Sequence, residues 1–322
     1  MNNARSEHTA SILTNETVLV IGGYDGSALK SAELYNLSTR NWTTIGSMNN
    51  ARHEHTASVF SNGKVLVIGG QNIGTTLESA ELYNFSTENW TTIENMSNAR
   101  DRHTASVLTD TKVLVTGGRN SNGVLSSAEL YDSTKGTWTT TVSMNNTRFY
   151  HTATILRNGN VLVAGGFGSD FLNTAELYDL SRGSWTTTGN MMYARNLHTA
   201  SLLSNGKVLV TGGFDGSTLN SAELYDSLIG TWTITRSMAY ARDQHTASIL
   251  TNGAVLITGG RNNGSALNST ELYDPLTGNW TTTNSMNNTR YQHTASILTN
   301  GTVLVIGGYN GSALNSTELY NP

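Results

Sequence analysis

The chain has 322 residues, a formal charge of −4 and no cysteine. Charged residues make up only 13% of it, about half the usual share, so it lacks the basic surface that nucleic-acid binding needs. The missing thiols exclude disulfides and cysteine chemistry, and no apolar run is long enough for a membrane-spanning helix.

Read in chain order, the stretch from His55 to Ile93 predicts four strands. "HTASVF" is small and β-branched and reads as strand A. "KVLVIGG" is a continuous apolar run, as expected of a strand B covered on both faces. "SAELY" alternates, with Ala and Leu on one face and Glu and Tyr on the other, and reads as strand C. "WTTI" is aromatic and β-branched and reads as strand D. Turn signals separate them: "SNGK" before B, "DGS" or "NGS" in the corresponding B–C stretch of other units, and "DSTKG" or "DPLTG" before D. No helical period or helix-capping signal interrupts the pattern.

The same order recurs along the whole chain. His-Thr-Ala begins at residues 8, 55, 103, 151, 198, 245 and 293, and Gly-Gly at 22, 69, 117, 165, 212, 259 and 307. Glu-Leu-Tyr ends at 35, 83, 131, 178, 225, 273 and 320, and Trp follows at 42, 90, 138, 185, 232 and 280. His to Gly is always 14 residues, Tyr to Trp 7 and Trp to the next His 13; only the stretch from Gly-Gly to Tyr varies, by one residue. One loop therefore absorbs all the length variation of a 47–48-residue unit. Four antiparallel strands at this period describe the blade of an all-β propeller. Six tryptophans for seven units predict a seven-bladed propeller of four-stranded blades whose last blade, at Ser316–Tyr320, lacks its outer strand. Three outcomes are open for that edge: it is solvated, a downstream segment covers it, which is the leading expectation, or a neighbouring chain pairs with it in self-assembly. Met stands four residues before each Arg of the repeat, so Met1 reads as a repeat residue of a longer chain.

Trp is followed by Thr in all six cases, so the tryptophan–aspartate type of propeller repeat does not fit. "GGRNNGSALNSTELYDPLTGNW", Gly259 to Trp280, resembles the kelch repeat, including Asp274-Pro275 after the tyrosine. The resemblance covers the chain seven times and implies one kelch-type propeller over residues 1–322. It also implies that strand A is innermost and that partners sit on the face formed by the D–A and B–C loops.

Residues present in every blade read first as structure, because a catalytic constellation needs unequal roles. Gly-Gly ends a buried strand with no helix after it, which fits close approach or positive φ and not a phosphate loop. The tryptophans are expected to pack between blades. The repeated histidines start strands roughly 10 Å apart, too far to converge on a metal, and are expected to make structural hydrogen bonds. Arg5, Arg52, Arg100, Arg148, Arg195, Arg242 and Arg290 each precede a histidine by three residues. Glu33, Glu81, Glu129, Glu176, Glu223, Glu271 and Glu318 each open a Glu-Leu-Tyr triplet. In so charge-poor a chain these are expected to pair as a ring of Arg–Glu bridges between the segment before strand A and strand C.

Function is expected where an invariant frame carries variation. The two residues between Arg and His differ from blade to blade, and so does the residue after Gly-Gly. Phe149, Tyr150, Phe167, Phe171, Leu197 and Phe214 gather in these loops of blades 4 and 5, as a partner-binding patch or as filling between loops. No residues single out a catalytic or metal site, and no cofactor is implied; the copper-radical oxidases that share kelch blades use a cysteine-linked tyrosine. A non-enzymatic extracellular scaffold or assembly module, binding a protein or glycan, is the leading reading. An intracellular adaptor-type kelch domain is its alternative, and a glycan-active enzyme is the least supported class. Fourteen Asn-X-Ser/Thr sequons, against roughly nine expected from composition, favour an extracellular glycoprotein over a cytoplasmic one. Asn36, Asn84, Asn145 and Asn310 are the loop candidates.

Overall fold

The computed structural model describes residues 1–13 and 17–321; the sequon at Asn15 and the terminal Pro322 lie outside them. Every regular element among the described residues is a β-strand. Blade 3 shows the plan: Thr104–Thr109 (A), Lys112–Thr116 (B), Ala128–Asp132 (C) and Thr137–Thr140 (D), antiparallel and in that order. Register places Val113 opposite Tyr131 and Tyr131 opposite Trp138. Blades 1 to 6 have four such strands. Blade 7 has three among the described residues: Thr294–Ile297, Val303–Ile306 and Thr317–Tyr320. Each strand A touches strand A of both neighbours, and Thr9–Ile12 meets Thr294–Ile297, so the seven blades close around an axis.

Strand B is apolar throughout because both of its faces are interfaces. In blade 2, Val65 and Val67 pack on Leu19 and Ile21 of blade 1, while Leu66 and Ile68 pack on Val113 and Val115 of blade 3. A tyrosine of strand C and the repeat methionine fill each boundary, as Tyr83 and Met48 do between blades 1 and 2. Closure uses the same parts, with Leu304 and Ile306 against Val18, Val20 and Tyr35. Burial also refines the alternation read for strand C. Both faces are covered, and Glu81 is fully buried whereas Leu82 is only half-buried.

The Gly-Gly pair is where the next blade docks. Gly117 has φ +60°, and a Cβ there would stand 2.4 Å from the Arg148 carbonyl oxygen of blade 4. The neighbouring Gly118 N–H donates to that same oxygen at 2.8 Å.

Arg100 shows what the repeat arginines do. Its Nη1 donates to the carbonyls of Gly117 (2.6 Å) and Ser127 (3.2 Å), and its Nη2 to Ser127 Oγ (3.2 Å) and Glu129 Oε1 (2.7 Å). Glu129 also accepts the backbone N–H groups of Ser97 (2.7 Å) and Asn98 (3.1 Å). All seven arginines meet the glutamate 28 or 29 residues downstream, at 2.6–2.9 Å. The arginine side chains are wholly buried, and so in effect are the glutamates except Glu318, which is 12% exposed beside the open edge.

The tryptophans lie half-exposed over the blade boundaries, and five of them hydrogen-bond across these. Trp90 Nε1 donates to the Gly46 carbonyl of blade 1 at 2.7 Å, and Trp138, Trp185, Trp232 and Trp280 repeat the bond to the blade before each. Trp42 makes no such bond among the described residues, none of which forms an outer strand in blade 7, the blade before it.

Each repeat histidine bonds across the boundary too. His55 Nε2 lies 3.0 Å from Thr9 Oγ1, and the series closes with His8 and Thr294 at 2.9 Å. Burial first, and the nearby arginine second, push His103 and His198 down to about 3, so these rings are neutral in the fold.

Two outcomes are expected. Glu129→Gln places an amide NH2 against the N–H of Ser97 and leaves Arg100 short of its anion, which should cost about 3–5 kcal/mol in urea unfolding; a loss below about 1 kcal/mol would contradict the account. The histidines give a pH signature. Their folded pKa is depressed, to about 3 for His8, His103, His198 and His293, so their contribution is fully present above pH 6.5, where the unfolded imidazole deprotonates, and is lost as pH falls from there toward the folded pKa. Each buried histidine should remove about 1.4 kcal/mol per pH unit below that point. Unfolding free energy measured between pH 7.5 and 5.5 checks it, and a flat profile would refute it.

Candidate binding face at the mouth of the axis

The meander brings the D–A and B–C loops to one end of the propeller. The first variable residue of each D–A loop bridges the residue after Gly-Gly in its own blade: Ser6 to Tyr24, Phe149 to Phe167, Asn196 to Phe214, and so on around the ring. The B–C loop then turns back. In blades 2, 3 and 6, where this loop has its extra residue, it forms a two-stranded ribbon, such as Arg119–Asn120 with Gly123–Val124. The shorter loops keep a single bridge, such as Phe167 to Phe171.

The second variable residue forms a ring of its own. Glu7, Glu54, Arg102, Tyr150, Leu197, Gln244 and Gln292 all have φ between 52° and 54°. Each N–H donates to the carbonyl of the preceding member at 3.0–3.2 Å, and Glu7 N–H closes the circle on Gln292. None of the seven is glycine, so the left-handed backbone is held against its intrinsic cost by the surrounding ring. Their side chains line an open axial cavity of about 290 Å³ floored by the buried histidines. The sequence shows that this position varies; nothing in the residue types announces the conformation.

The mouth is uneven: blades 1 to 3 are ionic, blades 4 and 5 aromatic, and blades 6 and 7 mixed, with Arg261 bonding Asp243 at 3.2 Å and lying 5.6 Å over the Tyr291 ring. On the side of blades 1 to 3 it is ionic. Glu7 Oε2 lies 2.7 Å from His53 Nδ1. Glu54 Oε1 accepts Arg102 Nε at 2.6 Å and the Tyr150 hydroxyl at 2.7 Å. Burial, with Glu7 next, holds Glu54 above the usual carboxylate range, and burial likewise raises the Tyr150 phenol. Arg119 bonds Asp101 at 3.2 Å and lies 5.3 Å over the Phe149 ring, where the aromatic side begins.

That side carries the patch singled out from the sequence. Phe149 contacts Tyr150 (5.2 Å between centroids) and Phe167 (5.7 Å); Phe167 contacts Phe171 (5.0 Å), and Phe171 contacts Phe214 (5.7 Å). Leu197 joins through the axial ring, its N–H on the Tyr150 carbonyl. The five aromatic rings are therefore one cluster, and they and Leu197 beside them are each half-buried. The most exposed apolar side chains, Leu228 (93%) and Leu276 (95%), stand instead on C–D turns of the opposite face.

Of the sequon candidates, Asn36 and Asn84 cap their turns through Oδ1, and Asn145 donates to Glu176. Asn310 is exposed on a B–C loop.

Residues 1–223 match the family described as Attractin/LZTR1 beta-propeller, and residues 150–322 match the KLHDC2/KLHL20/DRC7 Kelch-repeats domain. No curated protein matches the chain in sequence. Among solved structures, a fungal alcohol oxidase of the AA5 family in complex with copper superposes with a TM-score of 0.79 at 20% identity, over 95% of this chain and 70% of that one. At that identity the likeness shows the fold alone. With two overlapping family matches and seven blades built on one repeat, the chain belongs to the kelch-repeat β-propeller family.

Proposed function

We propose that this propeller is a non-enzymatic binding module that takes a protein partner on the D–A/B–C face. The observation that carries the reading is the asymmetry of that face. Seven equivalent loop pairs on one rigid frame present an ionic side, an aromatic side and a cavity between them. Partner side chains of both kinds find complementary ground there, with aromatic and arginine anchors of the type that dominates interfaces. The neighbouring oxidase contributes nothing to this reading beyond its fold. An extracellular glycoprotein setting belongs to the same proposal, with exposed Asn310 as its first glycan site.

The last blade supports a second reading, assembly of copies. Leu319 of its strand C is 37% exposed where the equivalent residues are partly covered by a D strand. An incoming strand with the Trp-Thr-Thr pattern of this chain's own D strands would pair with Thr317–Tyr320 and give Trp42 its acceptor.

Photo-crosslinking side chains at Phe171 and, on the opposite face, at Leu228 test the first reading. Saturable partner adducts are expected from Phe171 alone, and adducts only from Leu228 would overturn the choice of face. Phe167→Ala with Phe171→Ala should weaken binding by at least tenfold while leaving the melting transition in place. For assembly, mass by light scattering should rise with concentration and return to that of one chain in Leu319→Lys; a single-chain mass at the highest concentration would end that reading.

A further inference from the structure

Two carboxylates and an imidazole meet across the boundary between blades 1 and 2. Glu7, His53 and Glu54 each offer a donor atom within 4.8 Å of the other two. The outer contacts of both carboxylates are already filled. Glu54 Oε1 takes Arg102 Nε and the Tyr150 hydroxyl, and Glu7 Oε1 takes the Gln292 side-chain amide. One oxygen of each glutamate lies outside these contacts. Glu7 Oε2 faces His53 Nδ1 at 2.7 Å. Glu54 Oε2 is enclosed and has no hydrogen-bond partner among the described residues, on a side chain only 5% exposed.

A buried carboxylate oxygen without a donor is costly, and the one cation beside it, Arg102, already serves the other oxygen. A proton on Glu54 would relieve that atom alone. A divalent ion would satisfy Glu54 Oε2, Glu7 Oε2 and His53 Nδ1 together. Ligands ~2.1 Å from a tetrahedral ion stand ~3.4 Å apart, so small side-chain rotations close the site. One imidazole with two carboxylates suits a borderline ion, and the hydrogen bonds behind both carboxylates are the outer shell that such sites require.

We propose that Glu7, His53 and Glu54 bind one divalent transition-metal ion of the zinc class, joining blade 1 to blade 2 with a coordination position open to the axial cavity. The site touches the aromatic cluster through the Tyr150 hydroxyl on Glu54, but none of its three ligands belongs to that cluster.

Titration of the chelator-treated full chain with zinc chloride, followed calorimetrically, tests this, with cobalt(II) as the spectroscopic probe. The expected result is one saturable ion per chain and visible cobalt bands. Glu54→Gln and His53→Asn should each weaken binding at least tenfold. These changes install residues that blades 6 and 5 already carry at the same positions, Gln244 and Asn196, so the frame accepts them. Circular dichroism checks each fold, and Glu7→Gln, matching Gln292, replaces either variant that does not fold. Asp170→Asn, an exposed acid of the same face, should leave binding unchanged. Absence of saturable binding by the native chain would overturn the proposal. So would binding that survives both ligand substitutions, which would place the ion elsewhere, or a preference for calcium or magnesium over zinc.

Discussion

Everything in this propeller hangs on a charge pair that water never reaches. Arg100 cannot be buried alone, and neither can Glu129; together they pair and hold the backbone around them. The guanidinium fork holds the carbonyl of the first glycine and the turn before strand C. The carboxylate gathers two N–H groups of the loop arriving from the previous blade. A loop that would otherwise wander is thereby fixed at both ends. Because that loop leads directly into strand A, the knot also sets where the next histidine enters the axis. Glycine is then required at position 117, since the arginine carbonyl of the next knot lies where a Cβ would be.

Such a frame separates stability from recognition. Blade contacts use Gly-Gly, the strand B hydrophobics, the repeat methionine and the His–Thr bonds, and these are nearly the same at every boundary. Between the invariant Arg and His, two residues are left free to differ. One is paired to the residue after Gly-Gly, and the other is held in a left-handed conformation by a circle of seven backbone hydrogen bonds. The chain thus presents fourteen D–A positions in fixed geometry, some of them buried, as Asp101 and Asp243 are, and others open to the mouth. Arg102 and Tyr150 can reach the Glu54 carboxylate from two different blades because the circle places them side by side.

The closure of the ring follows the same economy. Blade 7 reaches blade 1 through Gly308 on the Arg5 carbonyl, through His8 on Thr294 and through a shared hydrophobic layer. No exchange of strands is needed for these bonds. Among the described residues blade 7 has no outer strand, and this is felt at the rim, where the Trp42 indole N–H finds no acceptor and Leu319 is bared, while the bonds at the axis are kept.

By itself the sequence determined the repeat, the four strands, the three-stranded last blade and the residues that would have to be buried in pairs. Those features follow from local rules applied seven times: alternation, turn residues, and the cost of isolated charge. The cluster of Phe149, Phe167, Phe171 and Phe214 was legible for the same reason, since loop order around a propeller follows blade order. Only the tertiary structure decided that Glu7, His53 and Glu54 share a point, that Trp90 bonds the previous blade, and that seven unlike residues adopt one left-handed backbone. Each of these depends on the rotation of one blade relative to the next. That angle is set by packing across the boundary, and no single repeat encodes it.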